Sequence, residues 1–223
     1  AGDWVTFEAT YAFQINLRQE FEQVRDDITG PQFDFTLRTH SIDSFYQHPS
    51  FSMKQGDLQG GIGLQGSFQE NVYRGLPLIP NFRGFSGGIF AYERLSLERF
   101  DVEIGTRVDG LSRAAYLRDG DYENHVRRET LDESSCTAVS DGQRYRCPAD
   151  YLAGSVSLGG LAHLVPEHWD LKLDLSTATR FPNVDELYLL GHAPTFPVYA
   201  NGFPDLGTET VWNGSLTSGL RVA

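Results

Sequence analysis

From Val5 to Leu17 every odd position is apolar (Val5, Phe7, Ala9, Tyr11, Phe13, Ile15, Leu17), while Thr6, Glu8, Thr10, Gln14 and Asn16 are polar and Ala12 is the one exception. Successive side chains of a strand point to opposite faces, so a period of two specifies a strand with two unlike faces. Such a strand outruns the roughly 5–6 residues common in soluble proteins. It suits a tilted membrane crossing, which takes about 9–11 residues plus any extension beyond the bilayer. Nothing in the chain approaches the ~18 consecutive apolar residues of a spanning helix, and mean hydropathy is −0.34. A helical membrane protein is excluded. A soluble β protein or a membrane β-barrel remains, because barrel strands alternate and keep the average hydropathy low.

The same period returns at Phe33, Phe35 and Leu37, at Leu58 to Phe68, at Phe100 to Val108, at Leu152 to Leu164, at Trp169 to Thr177 and at Trp212 to Val222; Phe85 to Arg94 is a further strand of unassigned phase. This makes an all-β chain of roughly eight antiparallel strands. Connections alternate in length. Leu95 to Arg99 and Val165 to His168 are tight turns, whereas Gly110 to Asp150 and Phe181 to Thr210 are long and polar. Short turns at one end and long loops at the other are the outer-membrane barrel pattern, while structureless loops beyond ~12–15 residues are uncommon in compact soluble domains. Thr39 to Asp57 is too long for a short turn and implies a hidden strand around Ser41 to Tyr46. Trp4, Tyr92, Tyr116, Tyr151, Trp169 and Trp212, near strand ends, suit either interfacial girdles or an ordinary core.

No linker or charged tail divides the chain, so residues 1–223 are expected to be part of one β-barrel domain, with no plug domain. The opening Ala1-Gly-Asp-Trp4 lacks an initiator methionine and a signal-peptide pattern, the expectation for a processed chain or a piece of something longer. The net charge of −12 argues against a nucleic-acid partner. Cys136 and Cys147 lie in one polar segment, and a local disulfide in an oxidising compartment is the favoured reading over two unrelated thiols. Six histidines (His40, His48, His125, His163, His168, His192) are scattered without ligand spacing, so no metal site is expected; His48, His125 and His168 read as solvated or turn residues. The adjacent acids Asp26/Asp27, Asp132/Glu133 and Asp185/Glu186 read as solvated. No nucleophile elbow, phosphate loop or zinc-protease motif occurs, so no enzyme and no cofactor is expected.

Two late blocks carry a resemblance. Ser176-Thr-Ala-Thr-Arg-Phe-Pro-Asn-Val-Asp-Glu-Leu-Tyr188 is followed by Gly202-Phe-Pro-Asp-Leu-Gly-Thr-Glu-Thr-Val-Trp-Asn213, then Gly219-Leu-Arg221. In order and spacing they resemble the C-terminal half of TonB-dependent outer-membrane receptors: a strand ending Arg-x-Pro-Asn-x-x-Glu-Leu-Tyr, a long outer loop, then Gly-Asn-Pro-Asp-Leu-x-x-Glu and the next strand. Here Phe203 stands where the family has Asn. Upstream, Ile79-Pro-Asn-Phe82, Gly88 to Arg94 and Phe100 to Asp109 look like the preceding strand pair, so the likeness covers about Ile79 to Arg221.

The resemblance implies a 22-stranded barrel closed by an N-terminal plug, in the outer membrane of a Gram-negative bacterium. Such a receptor imports a scarce nutrient (iron-siderophore, haem, metal or similar) with energy from TonB. Its partners would be outer-membrane lipid, the TonB system acting through a plug not present in this chain, and a small nutrient ligand. The signature residues Arg180, Pro182, Asn183, Glu186, Leu187, Tyr188, Gly202, Pro204, Asp205, Leu206 and Glu209 have a structural reading: Arg180 and Glu186 are placed to pair, Pro182 ends the strand, and Asn183, Gly202 and Pro204-Asp205 have turn chemistry. Substrate contact is expected in the outer loops, at Tyr188, His192 and Tyr199, with Phe196 in the same loop. The alternatives are a plugless outer-membrane barrel with an adhesive or structural role, and a secreted glycan-binding β-sandwich.

Overall fold

The computed structural model describes residues 6–21, 30–75, 78–139, 144–192 and 199–221; Trp4, Val5, Asp26, Asp27 and Phe196 lie outside them. In chain order the elements are β1 (Thr6–Glu20), β2 (Phe33–Gln47), β3 (Phe51–Met53), β4 (Gly56–Gly75), β5 (Asn81–Leu97), β6 (Phe100–Arg118), α1 (Asp119–Arg127), a 3-10 turn (Glu133–Ser135), β7 (Thr137–Ala138), β8 (Arg144–Val165), β9 (Trp169–Arg180), α2 (Val184–Tyr188), β10 (Leu190–His192), β11 (Tyr199–Asn201) and β12 (Glu209–Leu220). Eight long strands form one antiparallel wall in the order β1-β2-β4-β5-β6-β8-β9-β12. The wall is open: its end strands β1 and β12 do not pair with each other.

Register decides which side chains share a face, because directly paired residues point the same way. Reading one row across the wall, Phe7 pairs with Tyr46, then Ile62, Ala91, Thr106, Val156, Thr177 and Trp212. Along the band this row crosses, the alternating apolar positions of β1, β4, β6, β8, β9 and β12 therefore point to the same side. That face carries Leu17, Leu64, Phe85, Val108, Leu152, Leu216 and Trp212, all exposed, the last to 81%. The opposite face carries Gln14, Asp43, Gln65, Ser86, Arg107, Ser157 and Asp174. A continuous exposed apolar sheet face is far beyond the patches soluble monomers tolerate, and it is what a barrel wall presents to lipid. Its upper edge crosses the register rows obliquely, from Leu17 on β1 through Phe68 and Phe85 to Trp212, which shares its row with Ile62, below Phe68. Strands tilted against the membrane normal produce this stagger.

All long connections lie at one end of the wall, and the tight ones, 98–99 and 166–168, at the other. Several sequence expectations change in detail. The strand sought at Ser41 to Tyr46 is the continuation of β2 to Gln47, and β3 folds back on β4 within the remaining connection. The loop expected over Gly110 to Asp150 is shorter, because β6 runs on to Arg118 and β8 begins at Arg144. Phe85 and Ile89 face out on β5 while Phe90 and Tyr92 face in. Of the proposed girdle residues, Tyr116, Trp169 and Trp212 face out, whereas Tyr92 and Tyr151 face the polar side.

Phe33, Phe35 and Leu37 face inward, opposite Gly75, Tyr73 and Asn71. Near the loop end the polarity of the wall inverts because the buried core sits there, on the inner side. It comprises Ala115, Leu117, Leu131, Cys136, Cys147, Val184, Leu187 and Tyr188, with Ile79, Phe82, Tyr122 and Tyr145 packed against it.

Candidate functional site at the loop end

The loop after β9 is anchored by local chemistry. Pro182 has no amide hydrogen to extend the β9 ladder, and its carbonyl accepts from Arg113 Nη2 at 2.8 Å. Asn183 caps α2, and its N–H donates to Glu186 Oε2 at 2.7 Å in a capping box. Glu186 also takes both outer nitrogens of Arg180, at 2.9 and 2.8 Å, while Arg180 Nε donates to Glu209 at 2.7 Å. One guanidinium thus ties β9, α2 and the start of β12 together. Hydrogen bonds from Arg180 and the Asn183 amide hold the Glu186 carboxyl down at about 2.

The outgoing strand returns against α2. Gly202 N–H donates to the Leu189 carbonyl at 2.6 Å and Phe203 N–H to the Glu186 carbonyl at 2.9 Å. A Cβ on Gly202 would lie 2.5 Å from the Leu187 carbonyl carbon, so only glycine permits this approach. Pro204 and Asp205 form a turn closed by Leu206 N–H to the Phe203 carbonyl, and the Leu206 carbonyl accepts from Tyr151 Oη at 3.3 Å. Leu190 N–H donates to the Leu78 carbonyl at 3.1 Å, joining a third connection to the same cap.

The two long loops also meet. Arg128, at the end of α1, lies over the Tyr199 ring at 4.9 Å and donates to Asn201 Oδ1 at 3.3 Å. His125 on α1 is fully buried, edge-on to Tyr188 and bonded through Nδ1 to Thr130 Oγ1 at 3.0 Å. Burial, and then the charge of Arg128, hold its pKa below the usual value. Cys136 and Cys147 are joined in a disulfide within this cap.

Of the residues expected to meet a ligand, Tyr188 is a packing residue: it is 4% exposed, and burial pushes its hydroxyl up to about 12. Tyr199 is exposed, with the Arg128 guanidinium over its ring. His192 pairs through its backbone with Tyr199 in the β10–β11 hairpin. Among the histidines, His125 is buried rather than solvated, and His48 is bonded to Glu93 at 3.1 Å. The sequence reading missed Arg113, buried against Pro182, because no local pattern marks a residue whose partner lies across the sheet. It also missed α1, whose nine residues bury only His125 and so leave no amphipathic stripe to detect.

On the inner face Phe45 lies parallel to Phe90 and Tyr92, with Phe45 over Gly61, Phe90 over Gly63, and Arg107 above the Phe90 ring at 5.6 Å. Beside it is a shallow polar recess of about 210 Å³ lined by Asp43, Gln65, Ser86, Arg107 and Asp109 among others. No cluster of three metal-ligating side chains occurs among the described residues.

Comparison with known proteins agrees with this architecture. Over 98% of its length the chain superposes on the Serratia marcescens hemophore receptor HasR, solved as a double mutant with its hemophore HasA and heme, with TM-score 0.67 and 14% identity over 34% of that chain. It superposes on the copper transporter OprC with TM-score 0.60 and 12% identity, again over 98% of this chain and 35% of the other. The chain thus spans about a third of the length of these neighbours, and at such identity the likeness concerns the fold. No curated protein matches it by sequence. The family model described as TonB dependent receptor-like, beta-barrel, matches residues 2–221; with its one apolar wall face and loops gathered at one end, the chain belongs to the TonB-dependent receptor β-barrel family.

Proposed function

We propose that this chain forms part of the barrel wall and outer loops of a transport receptor in the outer membrane of a Gram-negative bacterium. The receptor takes up a scarce nutrient of the iron-siderophore, haem or metal class, driven by TonB. The observation that carries this reading is the pair of unlike faces: a continuous apolar exterior for lipid, and a polar interior on which a plug can slide without a hydrophobic seal. Open edges on β1 and β12 would leave unpaired backbone groups in lipid. In the assembled receptor, further strands pair with both. The family supports the transport reading, and the heme and copper named for the two neighbours are the reason haem and metals are taken as candidate cargoes.

Ligand enters at the loop end, where Tyr199 and His192 lie on the β10–β11 hairpin and Arg128 supplies positive charge. The cap beneath them, tied by Arg180, Glu186 and the disulfide, fixes their position. The test is uptake of radiolabelled haem, ferric siderophore and copper by cells carrying the whole receptor, with and without functional TonB. Saturable uptake of one cargo that disappears without TonB is expected. TonB-independent, unsaturable leakage would instead indicate a plugless channel and overturn the reading.

A further inference from the structure

Above the apolar band, at the loop end, the outward face changes character. Arg38, Glu70 and Arg83 sit side by side in one register row on β2, β4 and β5, with Glu70 accepting from Arg38 at 3.2 Å and from Arg83 at 2.7 Å. In the next row up, Arg146 on β8 pairs with Tyr116 on β6, which pairs with Asn81 on β5. A recess of about 220 Å³ opens on this side, lined among others by Glu70, Val72, Arg83, Tyr116 and Arg144. Arg144 and Arg146 are exposed and have no ion-pair partner among the described residues. Around the recess, outward arginines at 38, 74, 83, 144 and 146 outnumber the outward carboxylates at 34, 70 and 150, in a chain whose net charge is −12.

The height of this collar matters as much as its sign. Immediately below it on the same face lie Phe68 and Phe85, the top of the lipid-facing band, followed by Leu64 and Ile89. On the inner side at the same level the wall is apolar and covered by the loop core. These arginines therefore face the zone where lipid headgroups begin, and neither the lumen nor the loop rim uses them. A guanidinium presents paired donors that match phosphate oxygens, and Glu70 holds Arg83 in place at the mouth of the recess.

We propose that this collar binds the phosphate of an anionic lipid in the outer leaflet, with the phosphate between Arg83 and Arg144 and the acyl chains running down over Phe68 and Phe85. The site rests on the wall standing in a membrane and is independent of the cargo. Charge complementarity and continuity with the apolar band select a lipid over a soluble anion or a protein partner.

The test uses the whole receptor in phosphatidylcholine nanodiscs supplemented with lipid A carrying its phosphates, or with dephosphorylated lipid A. Native mass spectrometry then reads the glycolipid retained after transfer to detergent. The wild type is expected to retain the phosphorylated form, and the double variant Arg83→Gln/Arg144→Gln to retain roughly tenfold less. Arg94→Gln, on the inner face, should behave as wild type. Equal retention of both glycolipids, full competition by free inorganic phosphate, or an unaffected double variant would each overturn the proposal. A heat-modifiable gel shift confirms that each variant is folded.

Discussion

Replacing Gly202 with alanine places a methyl group where backbone already stands. The added Cβ meets the Leu187 carbonyl carbon at 2.5 Å, its oxygen at 2.6 Å and the Tyr188 nitrogen at 2.6 Å. None of these atoms belongs to a flexible side chain, and α2 is pinned by its capping box and by the burial of Leu187, so relief must come from moving the returning strand. Overpacking of this kind costs about 1–3 kcal/mol. Moving the strand also weakens the 2.6 Å bond from Gly202 to Leu189, a further ~0.5–1.5 kcal/mol. A local loss of about 2–4 kcal/mol speeds amide exchange by opening roughly thirtyfold or more. Native-state hydrogen exchange of the whole receptor reads this at Leu187, Leu189 and Phe203, whose N–H groups donate to Asn183, Asp185 and Glu186. Gly219→Ala, where nothing lies within 4 Å of the new methyl, is the control and should change little. Unchanged exchange in Gly202→Ala, or equal acceleration in the control, would refute the close-approach argument.

Three further outcomes follow from the cap. Reducing the Cys136–Cys147 bond, which closes a short loop of sequence separation 11, should destabilise the loop by about 2–3 kcal/mol; limited proteolysis between β6 and β8 should accelerate while strand content by circular dichroism stays constant. Glu186 has a folded pKa depressed from about 4.5 to about 2. Its stabilising effect is full above the unfolded value and is lost as pH falls through about 2, so exchange protection at Asn183 should outlast pH 4.5, and Glu186→Gln should abolish the acid step. His125 has a folded pKa below the usual value of about 6.5 because burial and Arg128 disfavour its cation. The cap is then most stable above that value and weakens as pH falls below it, which exchange at Thr130, whose N–H donates to the His125 carbonyl, should report; His125→Gln should flatten the profile.

The wall was legible because its period of two records a physical division between lipid and lumen, and any strand paired in register must obey it. The period misleads where that division ends. Phe33, Phe35 and Leu37 keep the alternation but in inverted phase, since at the loop end the apolar environment is the loop core inside and water or headgroups lie outside. Signature residues such as Arg180, Asn183 and Glu186 were readable because their partners are close in sequence. Arg113 with Pro182, His125 with Tyr188, and the row from Arg38 to Arg83 were not, since each depends on which strands become neighbours. Tyr188 shows the remaining difficulty: an aromatic residue in a long loop reads as a ligand contact until the packing beneath the loop is known.

The central claim is that one face of this wall meets lipid and the other does not. Because the described cysteines are both in the disulfide, single introduced cysteines can carry a nitroxide at Leu64→Cys and Ile89→Cys on one face and at Gln65→Cys and Ser86→Cys on the other. In liposomes containing the whole receptor, the relaxation of each label by membrane-dissolved oxygen is compared with its relaxation by a water-soluble nickel chelate. Oxygen-dominated relaxation is expected at positions 64 and 89 and not at 65 and 86, alternating residue by residue. Equal access of the nickel chelate to both sets would contradict the claim.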